Sequence, residues 1–413
     1  MAEADDDLAL PVSPLAALPC QLLPSARVNP GDKVRSDGEP SVPELRFRTY
    51  SFTGKERPAD PSDVVIFPNF SEFGSELVAS LYCMPALLRR KYQNKHSVVM
   101  GWRGRQVLYR HFVDEYWELE DGAHWLREYC RAFHHDSKNL RAVERRVADF
   151  GTVVPMNDYA LHTAMPMVPK CWRYGCGGEM ERDEASQRCL ACGWKIDPVG
   201  IYHDIRSAEA LWPPPPTQEK LARVAEFVGP NVVGVAARAR KCYGRNLPKH
   251  FYARLAVMLE DLGYRPVWIG EKETTLPAPF SWVPDFSRHP LADDLEATLA
   301  LVSTMAFTLQ YWTASTRLAG LVGTPFLLFE SPDQLWGNGH EGMRLKLCSR
   351  GNHKVVLAHY PDILGDCDLG LALTRQAIKE MASGDWSLVW GPVQDEPQVQ
   401  KMRRESMAAG HWY

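Results

Sequence analysis

The chain has 413 residues, 45% of them hydrophobic and 24% charged, the balance of an ordinary globular protein with room for two or three domains. A formal net charge of −4 excludes a globally basic nucleic-acid binder and leaves only a local basic patch open. No apolar run reaches the ~18 residues of a membrane span, and the opening "MAEADDDLALPVSPLAALPC" has no basic stretch ahead of its apolar residues, so the expected setting is cytoplasmic, with reduced thiols.

Residues 1–45 are rich in Pro, Asp, Ser and Gly without periodicity and read as a disordered tail. The first strand signal is "DVVIFPN" (63–69), followed by an amphipathic helix in "SEFGSELVASLYCMPALLRRKY". "HSVVMGW" (96–102) reads as a strand, "RGRQVLYRHF" as a helix and "VDEYWEL" as a third strand. Residues 123–148 read as a charged helix, and "FGTVVPM" (150–156) as another strand. Alternating strands and helices predict a parallel sheet in an α/β half spanning 46–210. "LWPPPPTQEK" (211–220) is the predicted linker, since four successive prolines favour a stiff extended spacer.

The alternation restarts after the linker, over 221–390. Strands are expected in "NVVGVAARA" (231–239), "YRPVWIGEKE", "FTLQYW", "TPFLLFES" and "HKVVLA", and helices in 248–263, "DDLEATLALVSTMA" and "TASTRLAGLVG" (313–323). Residues 391–413 are left as a C-terminal tail.

Four of the ten cysteines, Cys171, Cys176, Cys189 and Cys192, are spaced C-x4-C-x12-C-x2-C. Two chelating pairs across a short hairpin suit tetrahedral zinc, and four sulfurs fill the coordination sphere, so the site is expected to be structural. This predicts a zinc ribbon over 168–197. A disulfide pair is the alternative, disfavoured where thiols stay reduced. The ribbon either staples an insertion with no core of its own or presents a surface to a partner.

From Phe227 to Leu259 there is no acid but six basic residues. Arg238, Arg240, Lys241 and Arg245 fall between a strand and a helix, the edge where open α/β sheets bind ligands. Guanidinium and ammonium groups there pair with phosphate oxygens, unless the loop is simply a solvated basic one. "TASTR" opens a helix after a strand, so Thr313, Ser315 and Thr316 are candidate anion ligands and also fit plain N-caps. No GxGxxG and no P-loop motif is present.

The run "VGVAARARKCYGRNLPKHFYARLAVMLEDLGYRPVWIG", with "LEATLALVSTMAFTLQYWTASTRLAGLVGTPFLLFES", resembles the nucleotide-sugar domain of GT-B glycosyltransferases of the heptosyltransferase-like group. "VVIFPNFSEFGSELVASLYCMPALLRRKY" is similar to that group's opening strand, glycine loop and helix. The resemblance covers about two thirds of the chain. It implies two Rossmann-like domains, an N-terminal acceptor side and a C-terminal donor side, with Arg245 on the donor phosphates. The family's "D-T-G-x-x-H-L-A" falls on Trp312 to Ala319, where its acid and histidine are missing, so heptose and ADP specificity do not follow. The family's catalytic acid falls on Ser75, flanked by Glu72 and Glu76.

The function read from these features is glycosyl transfer from a nucleotide-sugar donor to an acceptor hydroxyl, in the inverting sense, with Glu72 or Glu76 as base. Either acid also fits a plain helix-dipole partner. Residues 77–113 contain seven basic residues and no acid. With Trp102, Arg103 and Arg105 they point to a polyanionic acceptor, such as DNA with a hydroxymethylated base. A glycan acceptor, a nucleotide-sugar epimerase of the same fold, and a non-catalytic zinc-ribbon nucleic-acid binder are the alternatives.

Overall fold

In the computed structural model the described residues are 46–70, 76–77, 84–120, 138–154, 178–182, 187–191, 195–196, 211–239, 246–311, 314–330, 353–357 and 367–391. The first half holds β1 (Phe47–Ser51), β2 (Val64–Pro68), α1 (Met84–Arg90), β3 (His96–Gly101), β4 (Glu115–Leu119), α2 (Lys138–Val147) and β5 (Thr152–Val153). Its five-stranded sheet has the order β1-β4-β3-β2-β5. The β2, β3, β4 and β5 pairings are parallel, and β1 runs antiparallel to β4. β2 and β3 are buried at every residue, as in a parallel sheet covered on both faces.

Two expectations for this half need correction. "RGRQVLYRHF" forms only a single 3-10 turn, Gln106–Leu108. Its apolar residues Val107, Leu108 and Tyr109 are consecutive rather than spaced by a helical turn, and all three are buried. The sheet is not wholly parallel, because β1 in "FRTYS" was not foreseen: only its backbone ladder to β4 makes it a strand. The segment between β1 and β2 is tied to β4 by Glu115, which takes hydrogen bonds from Arg57 and Trp117 and lies 2.9 Å from His96 Nε2. Together these partners outweigh the cost of burial and hold the Glu115 carboxyl at about 2.

A separate three-stranded antiparallel ribbon follows: β6 (Met180–Arg182), β7 (Gln187–Cys189) and β8 (Lys195–Ile196). Residues 211–217 form neither helix nor strand, and α3 (Gln218–Arg223) starts inside the predicted spacer, capped by the Thr217 hydroxyl on Lys220 N.

The second half holds β9 (Val232–Ala236), α4 (Lys249–Asp261), β10 (Arg265–Trp268), α5 (Leu295–Ser303), β11 (Phe307–Tyr311), α6 (Ala314–Val322), β12 (Phe326–Glu330), β13 (His353–Leu357), α7 (Cys367–Ala382) and β14 (Val389–Trp390). Its six-stranded sheet, β10-β9-β11-β12-β13-β14, is parallel throughout. The chain order around β9 reverses between β10 and β11, the arrangement of a doubly wound sheet. α4 ends at Gly263, whose φ of +80° is the left-handed stop that a residue without Cβ adopts freely. Asp294 caps α5 through Oδ1, which accepts from Glu296 N and Ala297 N. α7 and β14 were not anticipated.

One apolar cluster joins the halves. Leu295 and Leu299 of α5 and Leu318 and Leu321 of α6 are buried with Val65, Phe67, Leu77, Val99 and Tyr109 of the first half. Glu296 at the start of α5 is held by Arg110 of the first half at 2.9 Å and by Lys220 of α3 at 3.0 Å.

Candidate active site

The first-half site grows from the C-terminal end of β2. Asn69 is the residue after that strand, and its backbone N–H continues the ladder onto Met100 O. Its side-chain amide donates to the Tyr109 hydroxyl at 2.9 Å, and that hydroxyl donates to Glu76 Oε1 at 2.9 Å. Arg105 Nε stands 3.7 Å from Glu76 Oε2. Glu76 is fully buried. Its Oε2 and the Asn69 Oδ1 have no hydrogen-bond partner among the described residues.

Burial pushes the Glu76 carboxyl up to about 7, against the opposing pull of Arg105 and of the Tyr109 hydrogen bond. Burial, followed by the Glu76 charge, drives the Tyr109 phenol well above its ordinary value, so it remains a donor. Tyr109 is fixed by Tyr116, stacked on it with centroids 5.4 Å apart. Tyr116 in turn donates to Trp102 O at 2.7 Å. Gly101 makes room for this contact, since a Cβ there would run into the Tyr116 hydroxyl.

The other predicted acceptor-side residues divide. Arg105 stands beside the Glu76 cluster. Trp102 follows β3 and sits edge-on to Phe70 at 5.2 Å, half-buried. Arg103 is exposed beside it. Glu72 lies outside the described residues.

In the second half Arg238 is buried just past β9 and forms a bridge with Thr275. Arg240, Lys241, Arg245 and Thr313 lie outside the described residues. Ser315 and Thr316 occupy the first turn of α6, as expected. Arg317 on the same helix and Glu330 at the end of β12 are both buried at this edge of the sheet. Both were missed from sequence, where a lone Arg or Glu carries no periodic signal. Asn69 and Tyr109 were missed too. The signal for Asn69 was its place directly after an apolar strand, where amides and carboxyls face the ligand edge.

Of the four clustered cysteines only Cys189 falls within the described residues. It ends β7, is buried, and pairs in register with Met180 of β6. Among the described residues there is no group of three or more metal-binding side chains, and no helix is long and apolar enough to cross a membrane.

No protein-family model and no curated protein matches the chain. Among solved structures it is similar to ADP-heptose LPS heptosyltransferase II from E. coli, at 14% identity over 78% of this chain and 100% of that one, with a TM-score of 0.48. It is similar to a glycosyl transferase family 9 protein from Veillonella parvula, at 13% identity over 84% of this chain and 97% of that one, with a TM-score of 0.44. The wall teichoic acid polymerase TagF is a more distant likeness, at 8% identity and a TM-score of 0.29 over 85% of this chain and 90% of that one.

Proposed function

We propose that this chain is a glycosyltransferase of GT-B architecture that moves a sugar from a nucleotide-sugar donor to an acceptor hydroxyl. The observation that carries the reading is the Glu76 cluster. A carboxyl with a pKa of about 7, one oxygen held by Tyr109 and the other without a hydrogen-bond partner among the described residues, suits a group that takes a hydroxyl proton. Tyr109 and Asn69 fix its orientation, and Arg105 stabilises the carboxylate. The acceptor oxygen then displaces the diphosphate, whose developing charge needs cations. Arg238, with Arg240, Lys241 and Arg245 in the segment that follows, supplies them, and Ser315 and Thr316 add hydroxyls at the α6 N-terminus. Transfer by this base is inverting.

Cys171, Cys176, Cys189 and Cys192 are proposed to hold one zinc, with thiolates that cross-link the two ends of the ribbon. The metal has no part in the transfer step.

A DNA acceptor finds less support than the sequence suggested. Of the seven basic residues in 77–113, Lys95 pairs with Asp63, Arg105 with Glu76 and Arg110 with Glu296. A hydroxyl-bearing saccharide needs no such positive surface.

The test is a panel of nucleotide sugars, read by thermal shift and by donor hydrolysis. At least one should raise the melting temperature and be turned over. Glu76→Gln should keep that shift and lose about 100-fold or more in turnover, while Glu72→Gln stays near wild type. No shift with any donor would overturn the reading. Unchanged turnover in Glu76→Gln would remove Glu76 as the base.

A further inference from the structure

Past Ala236, the last residue of β9, the chain turns tightly, with Arg238 N donating back to Ala236 O at 3.0 Å. It then gains a new partner. Ala239 N donates to Thr274 O at 2.8 Å and Leu276 N to Ala237 O at 2.7 Å, on either side of an antiparallel bridge between Arg238 and Thr275. Arg238 is the first cation of the basic segment. Its backbone course is therefore set by residues 274–276 and not by β10, the parallel neighbour of β9.

Residues 274–276 are held in turn by the side chain of Arg288. Its Nη2 donates to Thr275 O at 3.1 Å, and its Nη1 to Asp285 Oδ2 at 3.0 Å and to Ser287 Oγ at 2.7 Å. Asp285 is engaged on both oxygens: Oδ1 accepts from Ser287 Oγ at 2.5 Å, and Oδ2 accepts from Ala278 N at 2.9 Å as well as from Arg288. Asp285 also bridges Trp268 at the end of β10, whose N–H donates to Pro284 O at 2.8 Å. A continuous line of contacts thus runs from the edge of the sheet through Asp285 and Arg288 to Thr275, and from there to Arg238.

The chemistry of this line needs arginine. A planar guanidinium reaches the Thr275 carbonyl, the Asp285 carboxylate and the Ser287 hydroxyl at once and in fixed directions, which a single ammonium cannot do. Its bond to Thr275 O is charge-assisted, and so stronger than a neutral one. Ordering a cation when an anion arrives weakens binding by the entropy lost. A backbone already fixed beneath Arg238 avoids that loss. It adds nothing that is specific to the transition state, so its effect belongs in donor affinity and not in turnover.

We propose that Arg288 is a positioning residue of the donor site: acting through the Thr275 carbonyl, it fixes the extension of β9 that carries Arg238, and so sets the affinity for the donor diphosphate. This role rests on the glycosyltransferase reading for its ligand, whereas the line of contacts does not.

The test compares the full wild-type chain with Arg288→Met, which keeps the stem, and Arg288→Lys, which keeps one charged donor, each first shown to melt cooperatively. Hydrogen exchange follows the Ala239 and Leu276 amides, and calorimetry follows the binding of ADP, UDP and GDP. In Arg288→Met both amides should exchange faster. Whichever diphosphate wild type binds should bind that variant about 10-fold more weakly. With the nucleotide sugar that wild type turns over, donor KM should rise by a similar factor, while kcat and acceptor KM stay within about 2-fold. Arg288→Lys should recover part of the affinity. Unaltered exchange in Arg288→Met would show that Arg288 does not hold the extension. Faster exchange with unaltered diphosphate binding, or a fall in kcat alongside the rise in KM, would overturn its role at the donor site. A wild type that binds neither a diphosphate nor a nucleotide sugar would overturn the glycosyltransferase reading, and this role with it.

Discussion

Glu76 is expensive to ionise where it sits, and the same property suits it to take a proton. Its folded pKa of about 7 lies above the ordinary 4.5. Between these values the folded chain holds a proton that the unfolded chain has released, so stability falls as pH rises through this window. The gap corresponds to something on the order of 3 kcal/mol. Glu76→Gln cannot ionise and keeps the shape. Urea melts at pH 5 and pH 8 should therefore show wild type losing much more stability than the variant between the two. A variant that tracks wild type would mean that Glu76 titrates near its ordinary value. Paired with lost turnover, the expected result marks a group kept for function at a cost in stability.

The elements raise a similar issue in β13 and α7. Lys354 on β13 is fully buried, pairs with Glu380 near the end of α7, and donates to Asp385 O at 2.9 Å. Removing the acid leaves a buried ammonium with the Asp385 carbonyl and only a distant carboxylate oxygen, Asp385 Oδ1 at 3.7 Å. Glu380→Ala should cost about 2–3 kcal/mol, whereas Lys354→Met, which leaves only a partly exposed carboxylate behind, should cost less than about 1.5 kcal/mol. Equilibrium denaturation of both checks the order, and the reverse order would show that the lysine stem, not its charge, matters. The ribbon carries its own prediction. Protein purified without chelator should contain about one zinc per chain, and Cys189→Ser should lower that and release the ribbon to protease. Zinc-free protein with disulfides among these four cysteines would refute the metal.

At the scale of the molecule, the halves meet through the apolar cluster and through Glu296. Glu296 is partly exposed and takes two cations, Arg110 from the first half and Lys220 from α3. Glu296→Ala should destabilise the chain by no more than about 1 kcal/mol, because half-solvated ion pairs contribute little. It should nevertheless loosen the halves, seen as a larger radius of gyration in X-ray scattering. Leu318→Ala, which cuts into the shared cluster, should cost about 2–4 kcal/mol. If the two variants cost the same, the clasp is stronger than surface electrostatics allows.

The residues of the sequence carried the architecture well. Apolar runs such as "VVIFP" and "VVGVA" are legible as parallel strands because both of their faces are buried, so no polar residue interrupts them. The proline run was read as a boundary because proline fixes φ and lacks an N–H whatever surrounds it. The two-residue β14 and the polar β1 were not legible, since their pairing is set by neighbours far along the chain. The same distinction governs the site. Glu72 and Glu76 were singled out as candidates from their place after a strand, and the four cysteines from their spacing, both local properties. Tyr109, read as a helix residue, became the donor that orients Glu76 because the 3-10 turn and the stack on Tyr116 aim it there. Arg105 turned from a surface cation into the partner of a buried acid for the same reason. Spacing along the chain determined which chemistry was present. Only the tertiary structure decided which groups met and which were desolvated, because burial and contact between residues 33 positions apart are properties of packing and not of local order.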